Sequence, residues 1–304
     1  MFQQRTDLCA GDPGTVAARI STLSGLLELD TGIYIADIGA ALLAETPVYA
    51  PLVREYAQAQ LFSFDGDPRQ IAALQAHYGD KATVLEHYVG DGEAHTAYVC
   101  DAASGMTSLF KPSPAALGFF NGFDDFGRVL QTETVHTTRL DAIDAIERID
   151  FLKMDIQGSE LRVLQHGREK LRECVAIQLE VSFIGLYEGQ PTFGDIDHWM
   201  RANGYLPHRF MDIKRWSISP TVRNNNFRIP FNQLLEADAV YIKNPIALQH
   251  YSDNQLKRQV LFADLFFDSP DLAVYCLREL CTRQVLGEQA LRQYFALLNT
   301  PAER

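Results

Sequence analysis

Continuous apolar runs alternate along the chain with segments in which apolar residues recur every three or four positions. The continuous runs are typical of parallel strands covered on both faces, and the spaced ones of amphipathic helices. Strands are predicted in residues 33–38, 61–64, 149–156, 175–181 and 237–242. Helices are predicted around residues 13–27, 68–78, 160–166 and 192–203. This alternation predicts an α/β protein with a mostly parallel sheet.

Further helices are predicted near the N-terminus, within the main domain and near the C-terminus. Asp12 and Pro13 look like the N-cap and first residue of one helix. Thr46 and Pro47 predict the same start for another helix, inside the main domain. Apolar residues after 246 repeat at helical spacing and predict a small helical appendage that covers a lateral surface or supports a homodimer. We therefore divide the chain into an N-terminal helical segment (1–30), a main domain (31–245) and a C-terminal helical appendage (246–304).

Composition narrows the class of protein. The net charge of −12 argues against binding to nucleic acid or to a membrane, because both partners call for basic surfaces. No apolar run approaches the roughly 18 to 20 residues that span a bilayer, and the N-terminus lacks the apolar core of a signal peptide. A cytoplasmic location is expected. The five cysteines have no metal-ligand spacing and are interpreted as buried thiols, with Cys9 the least certain.

Charged residues occur where two predicted strands end. Lys153 and Asp155 close the run 149–156, and Glu160 follows at the start of a helix. A parallel sheet binds its ligand beyond the carboxyl ends of its strands, so these side chains are expected to face one crevice. A solvated ion pair is the structural alternative. Glu180, inside an apolar run, needs a partner to offset its desolvation, and Lys153 is the expected one.

Residues 152–161, Leu-Lys-Met-Asp-Ile-Gln-Gly-Ser-Glu-Leu, resemble the signature of the FkbM family of S-adenosylmethionine-dependent methyltransferases. The resemblance extends over about residues 33–242. It implies a Rossmann-like class I methyltransferase fold, in which helices flank a mostly parallel seven-stranded sheet, here with a helical C-terminal appendage.

The resemblance assigns the first cofactor-binding turn. Asp37 and Gly39 match the family's Asp-x-Gly after the first strand, and Ala40 continues the turn. A glycine lets the backbone approach the methionine part of the cofactor. The second glycine of the motif is replaced by Leu43.

The adenosine half of the cofactor is assigned in the same way. Asp65, after the second strand, is the predicted ribose ligand, and Gly66 stands where the family has proline. Gly90 and Asp91 are predicted to lie beside the adenine. A hairpin turn over residues 90–92 is the structural alternative.

The expected activity is O-methylation of a hydroxyl on a sugar or natural-product-like small molecule. Asp155 is the first candidate for the base that removes the hydroxyl proton, with Lys153 and Glu180 in the catalytic group. If Mg²⁺ is used, Asp155 and Glu180 are suitable oxygen ligands. His166 is the alternative base.

Three further residues are candidates for substrate binding through the resemblance: Thr107, Ser108 and Tyr187.

The sequence leaves two other classes of function to consider. The replacement of a motif glycine by Leu43, and the short Asp65, support a non-catalytic module that keeps the methyltransferase fold for binding or assembly. A nicotinamide-dependent dehydrogenase is disfavoured, because residues 39–44 lack the glycines that seat a pyrophosphate on a helix N-terminus.

Overall fold

The computed structural model describes residues 13–40 and 46–299. The predictions on Cys9, Asp12 and Leu43 lie outside the described residues. The helices are α1 (Pro13–Leu26), α2 (Ala50–Glu55), α3 (Pro68–Tyr78), α4 (Pro114–Phe119), α5 (Phe123–Phe126), α6 (Glu160–Gln165), α7 (Phe193–Ala202), α8 (Asp253–Leu265), α9 (Pro270–Thr282) and α10 (Gln289–Asn299). Across these described ranges, no helix is long and apolar enough to cross a membrane.

The strands form one large sheet and one small sheet. They are β1 (Ile33–Ile38), β2 (Ala59–Asp65), β3 (Ala82–Glu86), β4 (Tyr88–Gly90), β5 (Ala94–Val99), β6 (Gln131–Arg139), β7 (Phe151–Met154), β8 (Ala176–Ser182), β9 (Tyr205–Arg215) and β10 (Leu234–Lys243). The large sheet has seven strands in the order β3-β2-β1-β7-β8-β10-β9, and only β10 runs against its neighbours. This order confirms the predicted Rossmann-like class I methyltransferase fold.

Alternate residues of the strands feed two separate cores. Ile35 and Phe151 point to the face that packs against α1 and the C-terminal helices. Ile38 and Leu152 point to the other face, against α6 and α7. Both faces of the central strands are therefore buried, which explains why their sequences read as continuous apolar runs.

The C-terminal helices pack directly on the sheet. The Phe151 ring lies 5.0–6.1 Å from the rings of Phe262, Phe266 and Phe267. The buried Asp264 on α8 accepts hydrogen bonds from Arg19 on α1 and from the Tyr294 hydroxyl on α10. The helices before residue 31 and after residue 245 thus share a core with the main domain. The division at these two positions stays a prediction.

One local prediction and one structural alternative are wrong. Helix α2 does not begin at Thr46 and Pro47, because the Ala50 N–H bonds the Pro47 carbonyl in a turn and the helix starts at Ala50. Residues 90–92 are not a hairpin turn, because β4 and β5 do not pair with each other. Both pair with β6, on its opposite sides.

Candidate active site

The site lies where the order of the large sheet reverses. The chain passes from β1 outward through β2 and β3, then returns to β7 on the other side of β1. Connections leave these two neighbouring strands in opposite directions, which opens a crevice at their carboxyl ends. Gly39 follows β1 and Asp155 follows β7, so the first predicted cofactor turn and the predicted base meet at this crevice.

The two turns touch at Gly39. Its φ is +78°, and a Cβ on it would lie 2.0 Å from the carbonyl oxygen of Asp155. The Asp155 N–H in turn bonds the Ile38 carbonyl at 3.0 Å. The N–H groups of Gly39 and Ala40 both donate to the Phe64 carbonyl at 2.9 Å. These bonds hold the first turn against β2 and β7, and only glycine fits at its tightest point.

The buried Asp37 carboxylate interacts with two other side chains of the protein. Its carboxylate accepts a hydrogen bond from the Tyr49 hydroxyl and lies 3.5 Å from the Lys153 Nζ. Burial lowers the pKa of Lys153, but the carboxylates of Asp37, Asp155 and Asp238 outweigh it and raise that pKa. Burial and the Asp37 charge also raise the pKa of Tyr49. Lys153 is therefore protonated, with these three carboxylates around it.

The predicted pair of Lys153 with Glu180 is wrong. In the parallel pairing of β7 with β8, Lys153 is opposite Gln178, two residues before Glu180. Lys153 turns instead toward Asp37 on β1. Glu180 lies 3.5 Å from the Nζ of Lys214, which comes from β9. The sequence does not indicate this partner, because β9 has no continuous apolar run.

Burial raises the pKa of Glu180 well above its ordinary value, and the nearby charges of Asp155 and Glu236 add to this effect. Lys214 opposes the shift but does not cancel it. The Lys214 Nζ lies closer to Glu236, at 2.8 Å, than to Glu180. Glu180 therefore tends toward the neutral acid near the crevice, while Asp155 is half-buried.

Gln157 connects the acidic residues of the site. Its side-chain Nε2 donates to Asp155 Oδ1 at 3.1 Å and to Glu180 Oε2 at 3.0 Å. Its Oε1 accepts a hydrogen bond of 2.9 Å from the Tyr187 hydroxyl. Its backbone has φ +52°, and its carbonyl accepts from Ser108 Oγ at 2.7 Å. All polar atoms of the Gln157 side chain are thus used to hold two carboxylates and one phenol.

The expectation that Glu160 faces the crevice is wrong. Its side chain is buried and accepts hydrogen bonds from the N–H groups of Ile156 at 2.9 Å and Gly158 at 3.3 Å. Burial raises its pKa to about 7. The buried Glu160 carboxyl therefore stabilises the turn that carries Gln157.

Asp65 ends β2 and is the acidic residue best placed for a ribose. Its Oδ1 accepts a hydrogen bond from the Asp67 N–H at 2.7 Å. Burial raises its pKa to about 6. Next to it, a Cβ on Gly66 would meet the Tyr88 ring at 2.4 Å, so an aromatic ring fills the position that a side chain would occupy.

The segment predicted to lie beside the adenine is held by hydrogen bonds within the small sheet. The Asp91 carboxylate bonds His95 at 2.8 Å, Thr137 at 3.0 Å and the Glu93 N–H at 3.0 Å, and it lies 3.4 Å from the Arg162 Nε. Burial opposes ionisation of Asp91, but the His95 hydrogen bond and the others outweigh it and lower its pKa.

A Cβ on Gly90 would meet Thr137 at 2.8 Å, so this glycine permits the close approach of β4 to β6. The cofactor roles of Gly90 and Asp91 stay predictions, with the Asp91 carboxylate already bonded to protein groups.

Two of the three predicted substrate residues reach the site. Ser108 and Tyr187 are buried, and both bond Gln157. Burial and the Glu180 charge raise the pKa of Tyr187. Thr107 is exposed, and its hydroxyl accepts from the Cys100 N–H at 3.1 Å.

His166 is not brought to the crevice. It follows the C-terminal end of α6, whereas the crevice is at the other end of that helix, and its Nδ1 lies 2.9 Å from the Arg162 carbonyl. In the part of the chain that the structure describes, no group of three or more His, Cys, Asp or Glu side chains is arranged to hold a metal ion.

A pocket of about 540 Å³ at the opposite edge of the sheet is lined by Trp199, Tyr205 and Lys243 among others, and contains none of the predicted site residues. The crevice at the β1–β7 switch point remains the candidate site because the predicted side chains converge there.

Sequence reasoning missed Tyr49, Gln157 and Lys214 as parts of this site. Gln157 lies within the segment that resembles the family signature, so its position was a usable signal. Tyr49 and Lys214 gave none, because their partners lie 12 and 34 residues away.

Comparison with known proteins identifies similar sequences. The model of the methyltransferase FkbM domain matches residues 56–207, which is half of the chain. The 2-O-methyltransferase NoeI of Sinorhizobium fredii (strain NBRC 101917 / NGR234) is 30% identical over 140 residues. That match covers 44% of this chain and 58% of the relative. The chain thus spans less than two thirds of this curated relative.

Solved structures give weaker likenesses. Magnesium protoporphyrin IX methyltransferase from Synechocystis PCC 6803, with bound SAM, is 12% identical over 78% of this chain and 82% of its own, with a TM-score of 0.35. Precorrin-6y C5,15-methyltransferase from Geobacter metallireducens GS-15 is 13% identical over 74% and 87% of the two chains, with a TM-score of 0.34. Likenesses of this size carry no weight for the activity of this chain.

Proposed function

Because the chain belongs to the FkbM methyltransferase family, we propose that it transfers a methyl group from S-adenosylmethionine to a hydroxyl group of a sugar or natural-product-like small molecule. The observation that carries the proposal is the arrangement around Gln157, which ties Asp155 and Glu180 together beside the glycine turn after β1. The similarity to a 2-O-methyltransferase supports a hydroxyl as the acceptor.

The residues of the crevice fit the cofactor chemically. S-adenosylmethionine would supply a methyl group on a sulfonium, whose positive charge suits a crevice bordered by carboxylates. Asp65 places a carboxylate at the end of β2, which suits the hydroxyls of a ribose. Because Gly39 has no side chain, the turn after β1 can lie in close contact with the turn after β7. Asp65 and the turn at Gly39 and Ala40 are therefore the proposed cofactor-binding residues.

Asp155 is the proposed base. The acceptor hydroxyl must lose its proton during an in-line displacement, and a positioned base contributes about 10²- to 10⁴-fold in rate. Asp155 Oδ1 is held by Gln157, and within the described residues Oδ2 accepts no hydrogen bond. That oxygen is therefore available to the acceptor hydroxyl. Glu180, whose pKa burial raises, is suited to remain neutral and to orient groups rather than to take the proton.

Alignment of the acceptor is the second contribution. Holding reactants in line contributes up to about 7 to 11 kcal/mol of the barrier. Ser108 and Tyr187 fix Gln157 from two sides, so the Asp155 carboxylate is oriented before an acceptor arrives. We assign Ser108 and Tyr187 to the acceptor side of the crevice, with Lys153 as the partly buried charge that holds Asp37. A requirement for Mg²⁺ is not part of this proposal.

Titration calorimetry with S-adenosylmethionine and with its demethylated product tests the proposal. We expect one binding site for each, and a loss of affinity of about tenfold or more in Asp65→Ala. Asp80→Ala, an exposed aspartate after α3, is the matched control and should bind as the wild type does. Absence of heat with both nucleosides would instead support the non-catalytic binding or assembly module.

The acceptor is tested after cofactor binding. Radiolabelled methyl donor, incubated with a panel of neutral glycans and hydroxylated small molecules, should give an alkali-stable methyl ether. Transfer only to carboxylates would give alkali-labile esters and would contradict O-methylation of a hydroxyl. A cytoplasmic location and a homodimer stay predictions.

A further inference from the structure

Exposed apolar side chains are concentrated in two segments of the chain. Eight of the eleven exposed large hydrophobic residues of the described chain lie in two segments, residues 119–130 and 213–231: Phe119, Val129, Leu130, Ile213, Ile218, Val222, Phe227 and Phe231. Single exposed apolar residues are normal, whereas a concentration of them marks an interaction surface. We call these two segments together the apolar–basic surface.

The two segments are fastened to each other. The Asn121 side chain donates to the Thr221 carbonyl at 2.7 Å, and the Trp216 Nε1 donates to the Asn121 carbonyl at 2.8 Å. The Ser219 N–H bonds the Phe119 carbonyl at 2.9 Å. Beneath them, the Trp216 ring packs on Phe123 and Phe126. The apolar side chains are therefore held outward on a packed base.

The second segment is positively charged in an otherwise acidic chain. Residues 213–231 hold four basic residues and no acidic one, whereas the whole chain has 39 acidic and 27 basic residues. Lys214 is paired with Glu236. The other three, Arg215, Arg223 and Arg228, have no carboxylate partner within 4.0 Å among the described residues. Asp124 and Asp125 belong to the first segment, so the excess positive charge comes from the second.

The basic and apolar groups are interleaved. The Arg223 guanidinium lies 5.6 Å from the centre of the Phe231 ring, and that of Arg228 lies 5.7 Å from the Phe227 ring. At physiological ionic strength, charges more than about 8 Å apart are largely screened. The local charge of this segment therefore governs its contacts, whatever the net charge of −12 on the whole chain.

We propose that the apolar–basic surface binds the protein peripherally to an anionic lipid surface. Apolar side chains that enter the headgroup boundary, together with arginines that meet anionic headgroups, are the two contributions to such binding. Nucleic acid is less suitable, because Ile213, Ile218 and Val222 are aliphatic and cannot stack on bases as aromatic rings do. This proposal concerns one local surface, and it revises the expectation of no membrane partner.

The surface lies at the same edge of the sheet as the candidate active site. Lys214, at the end of β9, reaches Glu180 and Glu236, and Trp216 follows two residues later. Binding through this surface would leave the crevice next to the lipid headgroups. The proposal does not depend on methyl transfer.

Co-sedimentation with vesicles tests the proposal. We expect the full chain to bind vesicles of phosphatidylcholine with phosphatidylglycerol, to bind vesicles of phosphatidylcholine alone far less, and to be released by salt. Val222→Ser with Phe231→Ser, and separately Arg215→Gln with Arg223→Gln, should each lower the bound fraction at low salt by about tenfold. All four side chains are exposed, so the variants should fold.

Matched controls lie at the opposite edge of the sheet. Ile246 is 79% exposed and follows β10, and Arg172 precedes β8 with 74% of its side chain exposed. Ile246→Ser and Arg172→Gln should bind vesicles as the wild type does. Equal losses in the control and surface variants, or no binding to anionic vesicles, would overturn the proposal.

Binding of single-stranded oligonucleotide, with no vesicle binding, would instead assign the surface to nucleic acid and also overturn it. The assay contains no cofactor or acceptor, so Asp155→Asn should bind vesicles normally. Failure here leaves the proposed methyltransferase untouched, and failure of cofactor binding leaves the lipid surface untouched.

Discussion

The Tyr187 hydroxyl donates a hydrogen bond of 2.9 Å to the side-chain oxygen of Gln157, and this bond decides which way the Gln157 amide faces. With the oxygen committed to Tyr187, the amide nitrogen must point to Asp155 and Glu180. A phenol outside the carboxylate cluster thereby orients the group that organises it.

Gln157→Met should lower kcat by about tenfold to a hundredfold, because misplacement of a reacting group has effects of this size. KM for the cofactor should change little. Gln157→Glu adds a third carboxylate beside Glu180, so the pH at which activity is half-maximal should rise. Both substitutions place a residue with a Cβ at the same φ of +52°, so the backbone strain at residue 157 is the same in the two variants. The measurement is kcat and kcat/KM against pH.

Tyr187→Phe is the companion variant for this prediction. It leaves the Gln157 amide in place but removes the donor that orients it, so a smaller loss of kcat is expected than in Gln157→Met. An unchanged pH profile and full activity in all three variants would mean that Gln157 has no positioning role.

Asp155→Asn should lower kcat by about 10²-fold or more while cofactor affinity stays within a few-fold. Asparagine keeps an oxygen that can accept from Gln157 but cannot take a proton at neutral pH. Single-turnover methyl transfer and calorimetry measure the two properties separately. Asp212→Asn, an exposed aspartate on β9, is the control. A fully active Asp155→Asn enzyme would remove Asp155 from catalysis.

The central strands of the fold were predictable because both of their faces are buried. Strands β1, β7 and β8 read as continuous apolar runs, and their polar ends marked the crevice. Strand β9 was missed because it lies at the edge of the sheet, where most of its residues are partly or fully exposed and the apolar run is absent.

The interaction partners of the site residues were less predictable than the locations of those residues. The location of Asp155 followed from its place after a buried strand, whereas the partner of Glu180 depended on β9 and on the register of β7 with β8. Glu160 was misplaced for a related reason, because its hydrogen bonds are to the backbone of its own turn. Register and turn geometry are fixed by packing of the whole sheet, which one sequence does not display.

Glu160→Gln should change how stability depends on pH. Burial raises the pKa of Glu160 to about 7, above its unfolded value, so the folded state binds the extra proton and loses stability as pH rises from about 4.5 to about 7. The shift corresponds to roughly 3 kcal/mol. The variant keeps an acceptor oxygen and no charge, so its unfolding free energy should fall less between pH 5 and pH 8.

Urea denaturation at the two pH values measures this difference. Glu133→Gln, an exposed glutamate on β6, is the control and should follow the wild type. Parallel curves for Glu160→Gln and wild type would show that the Glu160 carboxyl does not carry the proton.

Cofactor affinity should depend on pH through Asp65. Its pKa of about 6 means that the carboxylate, the stronger acceptor for ribose hydroxyls, forms as pH rises through that value. Between pH 5 and pH 7 the affinity should rise by roughly tenfold, in proportion to the ionised fraction. In Asp65→Asn the affinity should be weaker and nearly independent of pH, whereas Asp80→Asn should keep the wild-type profile. An identical rise in Asp65→Asn would assign the titration to another group.

Gly39→Ala should destabilise the protein more than Gly79→Ala, and the difference isolates the contact between the two turns. Both glycines have positive φ, +78° and +52°, so each alanine incurs backbone strain of about 1 kcal/mol or somewhat more. At Gly79 a Cβ meets nothing within 4 Å, whereas at Gly39 it would lie 2.0 Å from the Asp155 carbonyl oxygen. Relief of that overlap requires the turn after β7 to move.

Two measurements therefore separate strain from contact. Urea denaturation should show a larger loss of unfolding free energy for Gly39→Ala than for Gly79→Ala, and methyl transfer should fall only in Gly39→Ala, because its Cβ displaces Asp155. Equal losses of stability with activity retained in both would mean that the two turns can separate at no cost. The crevice would then not depend on their close approach, and Gly39 would be needed only for its backbone conformation.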